Sequence, residues 1–429
     1  MFIFVTERKF LAMIEDLQYA NELLQANRVE EALKLLEDKI QLADLEEQFV
    51  IGELYFEWGF FDEALKVFQK IEEVLPNEGQ IKLFIASIYI ELEMDSEAIE
   101  TLSQIEASDD FYLQALMQLA DLYESQGLFE VAELKLREAK SLSKDEIIID
   151  FALGELLFSI GEYNKAIIHY EIVLKETDFI MEVNINERLA ESLAMISNYE
   201  EALKYYQEVE DKDADTLFKY GFIASQVNRN DIAINAWKEL IEQDKDYHSV
   251  YVELAKVYLK EEMKQEAYEV IKEGLKIDEF NQELYFMAGK LANEFGDFEE
   301  SESYIKEAII LDNDYKAAVI FLINILKDEH RLEEVIDLIT EVKRLGAEDP
   351  EYDWELARAY NENEEFEKAY EYYKLASEHL QTDSIFLKEF GYFLVEDSKI
   401  PEAIDTFKKY LEIDPQDNEI IAFLNRLQV

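Results

Sequence analysis

The sequence predicts an all-α chain made by stacking one helical hairpin many times over. Three observations carry that reading. Small residues return about every 34 positions, a second ladder of small residues runs twelve positions ahead of the first, and helix breakers fall between the two. Self-similarity at this period is the mark of a solenoid, in which no unit can bury its apolar face alone.

With Ala64 as the reference, the first ladder runs Ala32, Ala98, Ala132, Ala166, Ala202, Ala233, Ala267, Ser301, Ala369 and Ala403, with Val335 in one slot. The steps are 32, 34, 34, 34, 36, 31 and then five of 34, which makes twelve units. The ladder twelve residues upstream holds Ala20, Gly52, Ala86, Ala120, Gly154, Ala190, Gly221, Ala255, Gly289, Ala357 and Gly391, and only Ile323 departs from it. Five residues before the mark stand Asn27, Gly59, Gly127, Gly161, Asn228 and Gly296, residues that end a helix in left-handed backbone. Four residues after it comes a large apolar side chain, such as Phe68, Tyr170, Trp237 or Phe407.

Two helices approach closely only where each offers a residue without bulk, and large side chains then fill the neighbouring holes. The prolines fit the same frame. Pro350 and Pro401 sit where helices begin, and Pro76 and Pro415 follow helices that stop. The aromatic-rich stretch 55–65 divides accordingly: Tyr55 and Phe61 fall in packing slots, Gly59 makes the turn, and Phe56 alone is expected on an open face.

These spacings and residue classes resemble the tetratricopeptide repeat family over roughly residues 13–415. The resemblance implies a right-handed superhelical α-solenoid of about twelve helix-turn-helix units. The expected layout is an N-terminal extension at 1–12, repeats 1–6 at 13–211, repeats 7–12 at 212–415 and a C-terminal capping helix at 416–429. The 36-then-31 stagger is read at "EVEDKDADT" (208–216), as a flexible joint between the two sets of repeats. In length and composition the chain is similar to acidic multi-repeat proteins of Gram-positive bacteria.

With 41 basic and 98 acidic residues the formal charge is −57. Nucleic-acid backbones are held by neutralising lysine and arginine, so this balance argues against direct nucleic-acid binding and against anionic membrane surfaces. Absence of cysteine removes disulfides, thiolate nucleophiles and cysteine-based zinc sites. No 18-residue apolar span and no signal-peptide pattern are present, and a cytoplasmic location is expected.

Catalytic signatures are missing. His169, His248, His330 and His379 lie in different units without metal-ligand spacing. "LDNDYK" (311–316) and "IDPQDNE" (413–419) lack the turn glycine and terminal carboxylate of a calcium loop. Neither GxxxxGK[ST] nor GxSxG occurs. The expectation is a protein without enzymatic activity, cofactor or metal.

The resemblance implies that the first helix of each unit lines a groove that holds protein or peptide segments. One face of that helix lies fifteen, eleven and eight residues before the mark. The first slot is mostly apolar, and Trp354, with Phe56, is expected to stand open as an anchor. The middle slot carries Glu53, Asp121, Glu155 and Glu191 in the first half, then Lys256, Lys290, Asn324 and Arg358 in the second. Lys327, Asn293 and Asn361 fall in the third slot, and an asparagine amide can bond both groups of a peptide backbone. The expected groove is acidic toward the N-terminus and locally basic in repeats 8–11, suited to an acidic partner. The family's carboxylate clamp does not extend here, because the early slots it needs are apolar.

The leading expectation is therefore a non-catalytic scaffold or adaptor for protein segments. Two alternatives remain open at this stage: a peptide-responsive regulatory receptor, and an acidic mimic of nucleic acid that blocks a basic partner. Mimicry would weaken steeply with salt, whereas apolar capture would persist.

Overall fold

A computed structural model describes residues 16–427. The expectation for residues 1–12 lies outside them. Helices occur in antiparallel pairs, from residues 16–25 with Val29–Ile40 to Ser384–Glu396 with Ile400–Ile413, followed by Asn418–Leu427. Within each compact unit, from Val29–Ile40 onward, consecutive helices pack on one another. The chain divides into two compact units, one up to Asp211 and one from Lys212 onward.

In the first unit the core is a succession of clusters: Ala20 to Ile88, Leu83 to Leu122, Leu116 to Leu156 and Phe151 to Leu189. In the second, one continuous core runs from Ile305 to Leu424. The last helix joins it through buried Ile420 and Leu424, with Phe423 set against the rings of Tyr392 and Phe407.

The two ladders of small residues meet the large side chains as knobs and holes. A Cβ added to Gly52 would stand 2.9 Å from Phe68, to Gly154 2.6 Å from Tyr170, to Gly221 2.4 Å from Trp237, and to Gly391 2.6 Å from Phe407. Each of these rings is fully buried. Burying a large apolar side chain stabilises by about 1.5–3 kcal/mol, so each of these rings adds to the cohesion of its hairpin. Ile323, the large residue in this ladder, and its counterpart Ile339 are both fully buried.

The turn slot is more uniform than its residue types. All twelve positions have positive φ: Gly59, Gly127, Gly161 and Gly296, but also Asn27, Glu93, Ser197, Asn228, Glu262, His330, Glu364 and Ser398 at 57–61°. The backbone closes the helix in the same way throughout, as when Phe60 N–H donates to the Tyr55 carbonyl at 2.8 Å and Arg331 N–H to Leu326 at 2.8 Å. Pro350 and Pro401 occupy the first turns of Pro350–Glu362 and Ile400–Ile413.

The stagger lies in two separate steps. The long step holds a hairpin, Phe179–Ile180 paired with Val183–Asn184, which no alternating pattern announces. In the short step Tyr199–Glu208 runs ten residues and passes directly to Ala214–Gln226 through 209–213.

Candidate functional site

The apolar first slot is largely internal packing. Phe49 stacks edge-on to Phe68 and Phe84, Phe218 lies against Trp237 and Tyr247, and Phe286 against Tyr315 and Phe321. Trp354 is not the open anchor expected of it. Its side chain is 8% exposed, edge-on to Phe386, and its Nε1–H donates to Glu389 at 2.8 Å. Phe56 is half-buried between Phe61 and Phe84 rather than free.

The basic stretch is also corrected, because most of its charge is spent at home. Arg358 lies 3.9 Å over the Trp354 ring and grips Glu389 through Nε (2.8 Å) and Nη2 (2.6 Å), while Nη1 donates to Glu355 at 2.6 Å. Tyr373 adds a hydroxyl donor to Glu389, and Lys327 holds the other oxygen of Glu355, both at 2.8 Å. Burial works against the charge on Arg358, but Glu389 and Glu355 more than reverse it and raise its pKa. Burial would likewise raise Glu389, yet Arg358, Trp354 and Tyr373 hold it below the ordinary carboxylate value. Two cations and two carboxylates thus cancel. Lys256 is held between Glu253 and Glu283, each at 3.0 Å. Lys290 differs: it lies 5.5 Å from the centre of the Phe286 ring and, among the described residues, forms no ion pair.

Part of the predicted set does converge. Asn293, near the end of Gln282–Phe295, and Asn324, within Lys316–Asp328, line one open pocket of about 400 Å³ with Phe298, Phe321, Ile325, Asp328 and Glu329. Among the described residues neither asparagine amide is hydrogen-bonded to another protein group. Asn361, one unit further on, does not reach this pocket.

In the first unit Glu155 and Glu191 are tied together by Arg188, at 2.9 Å to each, and the buried Tyr170 hydroxyl donates to Glu155 at 2.6 Å. Among the described residues Glu53 and Asp121 form no ion pair with a cation. Desolvation first, and Glu57 second, raise the pKa of Glu53. Asp121 is open to water on one side and crowded by chain on the other, and desolvation, then Glu124, push it up to about 6.

The partners that neutralise the middle slot were legible in principle. Those of Glu155, Arg358 and Ser87 sit fourteen residues before the mark of the next unit, one position beyond the apolar slot. Glu155 meets Arg188, Arg358 meets Glu389, and Ser87 meets Gln118 at 3.3 Å by this same offset. Among the described residues no group of three or more His, Asp or Glu side chains is disposed to hold a metal, and no helix is long and apolar enough to cross a membrane.

Stacked hairpins of this period, closed at twelve equivalent turns, define a tetratricopeptide repeat protein. Family models agree: tetratricopeptide repeat at residues 248–281 and 282–318, YpiA-like tetratricopeptide repeats at 124–178, and YpiA-like C-terminal tetratricopeptide repeats at 350–417. The TPR repeat-containing protein YpiA of Bacillus subtilis (strain 168) is 37% identical over 414 residues, 96% of this chain and 98% of that protein. The chain belongs to the YpiA-like tetratricopeptide repeat family. Looser likenesses reach solved structures. YrrB, described as a TPR protein with an unusual peptide-binding site, matches at 16% identity over 43% of this chain and 95% of its own, with a TM-score of 0.38. A chain of the APC/C hetero-tetramer Cut9–Hcn1 matches at 11% identity over 100% of this chain and 99% of its own, with a TM-score of 0.36. At those scores neither superposition places a residue.

Proposed function

We propose that this protein is a non-catalytic cytoplasmic adaptor that holds a segment of another protein on the first-helix face of repeats 7–12, residues 212–415. The observation that carries the reading is the pair of unspent amides at Asn293 and Asn324 over an apolar floor. Asn293 is half-buried and Asn324 exposed, so both amides are open to a partner, and each offers one acceptor and two donors to a peptide backbone. Phe298, Phe321 and Ile325 beneath them supply contact area for a side chain. The ion-paired arginines and lysines around Glu355 and Glu389 then serve to hold neighbouring repeats in register.

Photo-crosslinking separates this face from the outer one. A benzophenone amino acid replacing Asn324 in living cells is expected to capture a protein partner, and the same probe replacing Ile310, 74% exposed on Phe298–Leu311, is not. Equal capture from both positions would argue for adhesion by the acidic exterior and against a groove.

A further inference from the structure

The pocket's own chemistry narrows its occupant, an inference that rests on the function proposed above. We propose that the Asn293–Asn324 pocket takes an extended segment in which an apolar side chain stands next to a lysine or arginine, rather than the acidic segment suggested by counting first-helix bases.

The floor is apolar and open: Phe298 is 54% exposed, and Phe321 and Ile325 lie beside it. A volume of about 400 Å³ admits one large side chain with its flanking backbone. The rim is negative, because the lining contains Asp328 and Glu329 and no base. Asp328 forms no ion pair among the described residues. Among the described residues Glu329 pairs with Arg331 alone and shares it with Glu302 and Glu334, so three carboxylates surround one guanidinium. Lys306 pairs with Glu302 at 2.6 Å. The nearest bases of the first-helix face do not redress this. Lys327 is committed to Glu355, and Lys290 lies over Phe286 outside the lining. A cation brought in beside an apolar anchor would meet Asp328 and Glu329, whereas a carboxylate would meet like charge.

The test is selection of phage-displayed random dodecamers on the full chain at physiological salt. The expected enrichment is Leu, Ile, Met or Phe within two positions of Lys or Arg. A synthetic peptide of the enriched sequence should bind Asp328→Lys roughly tenfold more weakly, and its Lys→Glu counterpart should recover binding to that variant. Asp328 is exposed at the last position of its helix, where a lysine suits the dipole, so the variant retains the fold. Enrichment of acidic or uncharged sequences that is lost on Asn324→Ala or Phe321→Ala would overturn the inference and leave the groove intact. Absence of any enrichment sensitive to Asn324→Ala and Phe321→Ala would overturn both.

Discussion

Replacing Gly221 by alanine should destabilise the hairpin of Ala214–Gln226 and Asn230–Gln243, although alanine is the better helix former. The new methyl would stand 2.4 Å from Trp237 Nε1 and 2.7 Å from Cδ1, well inside contact distance. The indole cannot yield cheaply. It is fully buried and donates Nε1–H to the Phe218 carbonyl at 3.1 Å. Helix propensity favours alanine by about 1 kcal/mol. Against it stand about 1–3 kcal/mol for overpacking and about 1–3 kcal/mol if the displaced indole loses its acceptor. The net is a loss of about 3 kcal/mol. Because repeats open by neighbours rather than all together, native-state hydrogen exchange over residues 214–243 is the suitable readout. Protection there should fall by roughly a hundredfold, since each 1.4 kcal/mol is a factor of ten. In a Trp237→Leu background the collision is gone, and Gly221→Ala should become neutral or favourable. Unchanged protection in the otherwise native chain, or the same loss in both backgrounds, would refute the knob-and-hole account.

Further outcomes follow from the same geometry. Glu364→Gly should stabilise by about 0.5–1 kcal/mol by relieving left-handed backbone at φ 61°, while Glu362→Gly, at the end of Pro350–Glu362, should cost about 1 kcal/mol; urea titration reads both signs. Arg358→Met should cost about 2 kcal/mol by leaving Glu389 without its cation, and Arg358→Met with Glu389→Leu should recover most of it, as measured by thermal melts. Since the folded Glu389 carboxyl lies below 4.5, its contribution is present above that pH and lost as pH falls through the folded value. Glu389→Gln should therefore flatten the acid limb of a stability–pH curve. Asp121 titrates the opposite way: its carboxyl should show an NMR midpoint near 6, so its contribution is full below 3.8 and lost as pH rises through 6. A midpoint near 3.8 would remove the case for a crowded carboxylate there.

The period, the pairing of small with large residues, and the places where helices begin and end were determined by the sequence alone. They are local matters: Gly221 and Trp237, or Gly59 and its turn, lie within one hairpin, and the same rule is repeated often enough to average out exceptions such as Ile323. Helix closure was under-read, since Glu262 or His330 takes the left-handed turn as faithfully as Gly127 does. There the closing bond of the helix end, as from Met263 N–H to the Tyr258 carbonyl at 2.8 Å, holds the backbone against its residue preference.

Charge was decided only by the tertiary structure. Composition counted Arg358, Lys256 and Lys327 as bases facing a partner, but a side chain's charge is available only if no opposite charge lies within reach. That depends on which residue of the next repeat stands opposite. Glu389 cancels Arg358 from 31 positions away, while Asp328, unremarkable in the sequence, is left facing a pocket with no cation of its own. Patterns within a helix fold the chain, and contacts between repeats choose what remains free to bind.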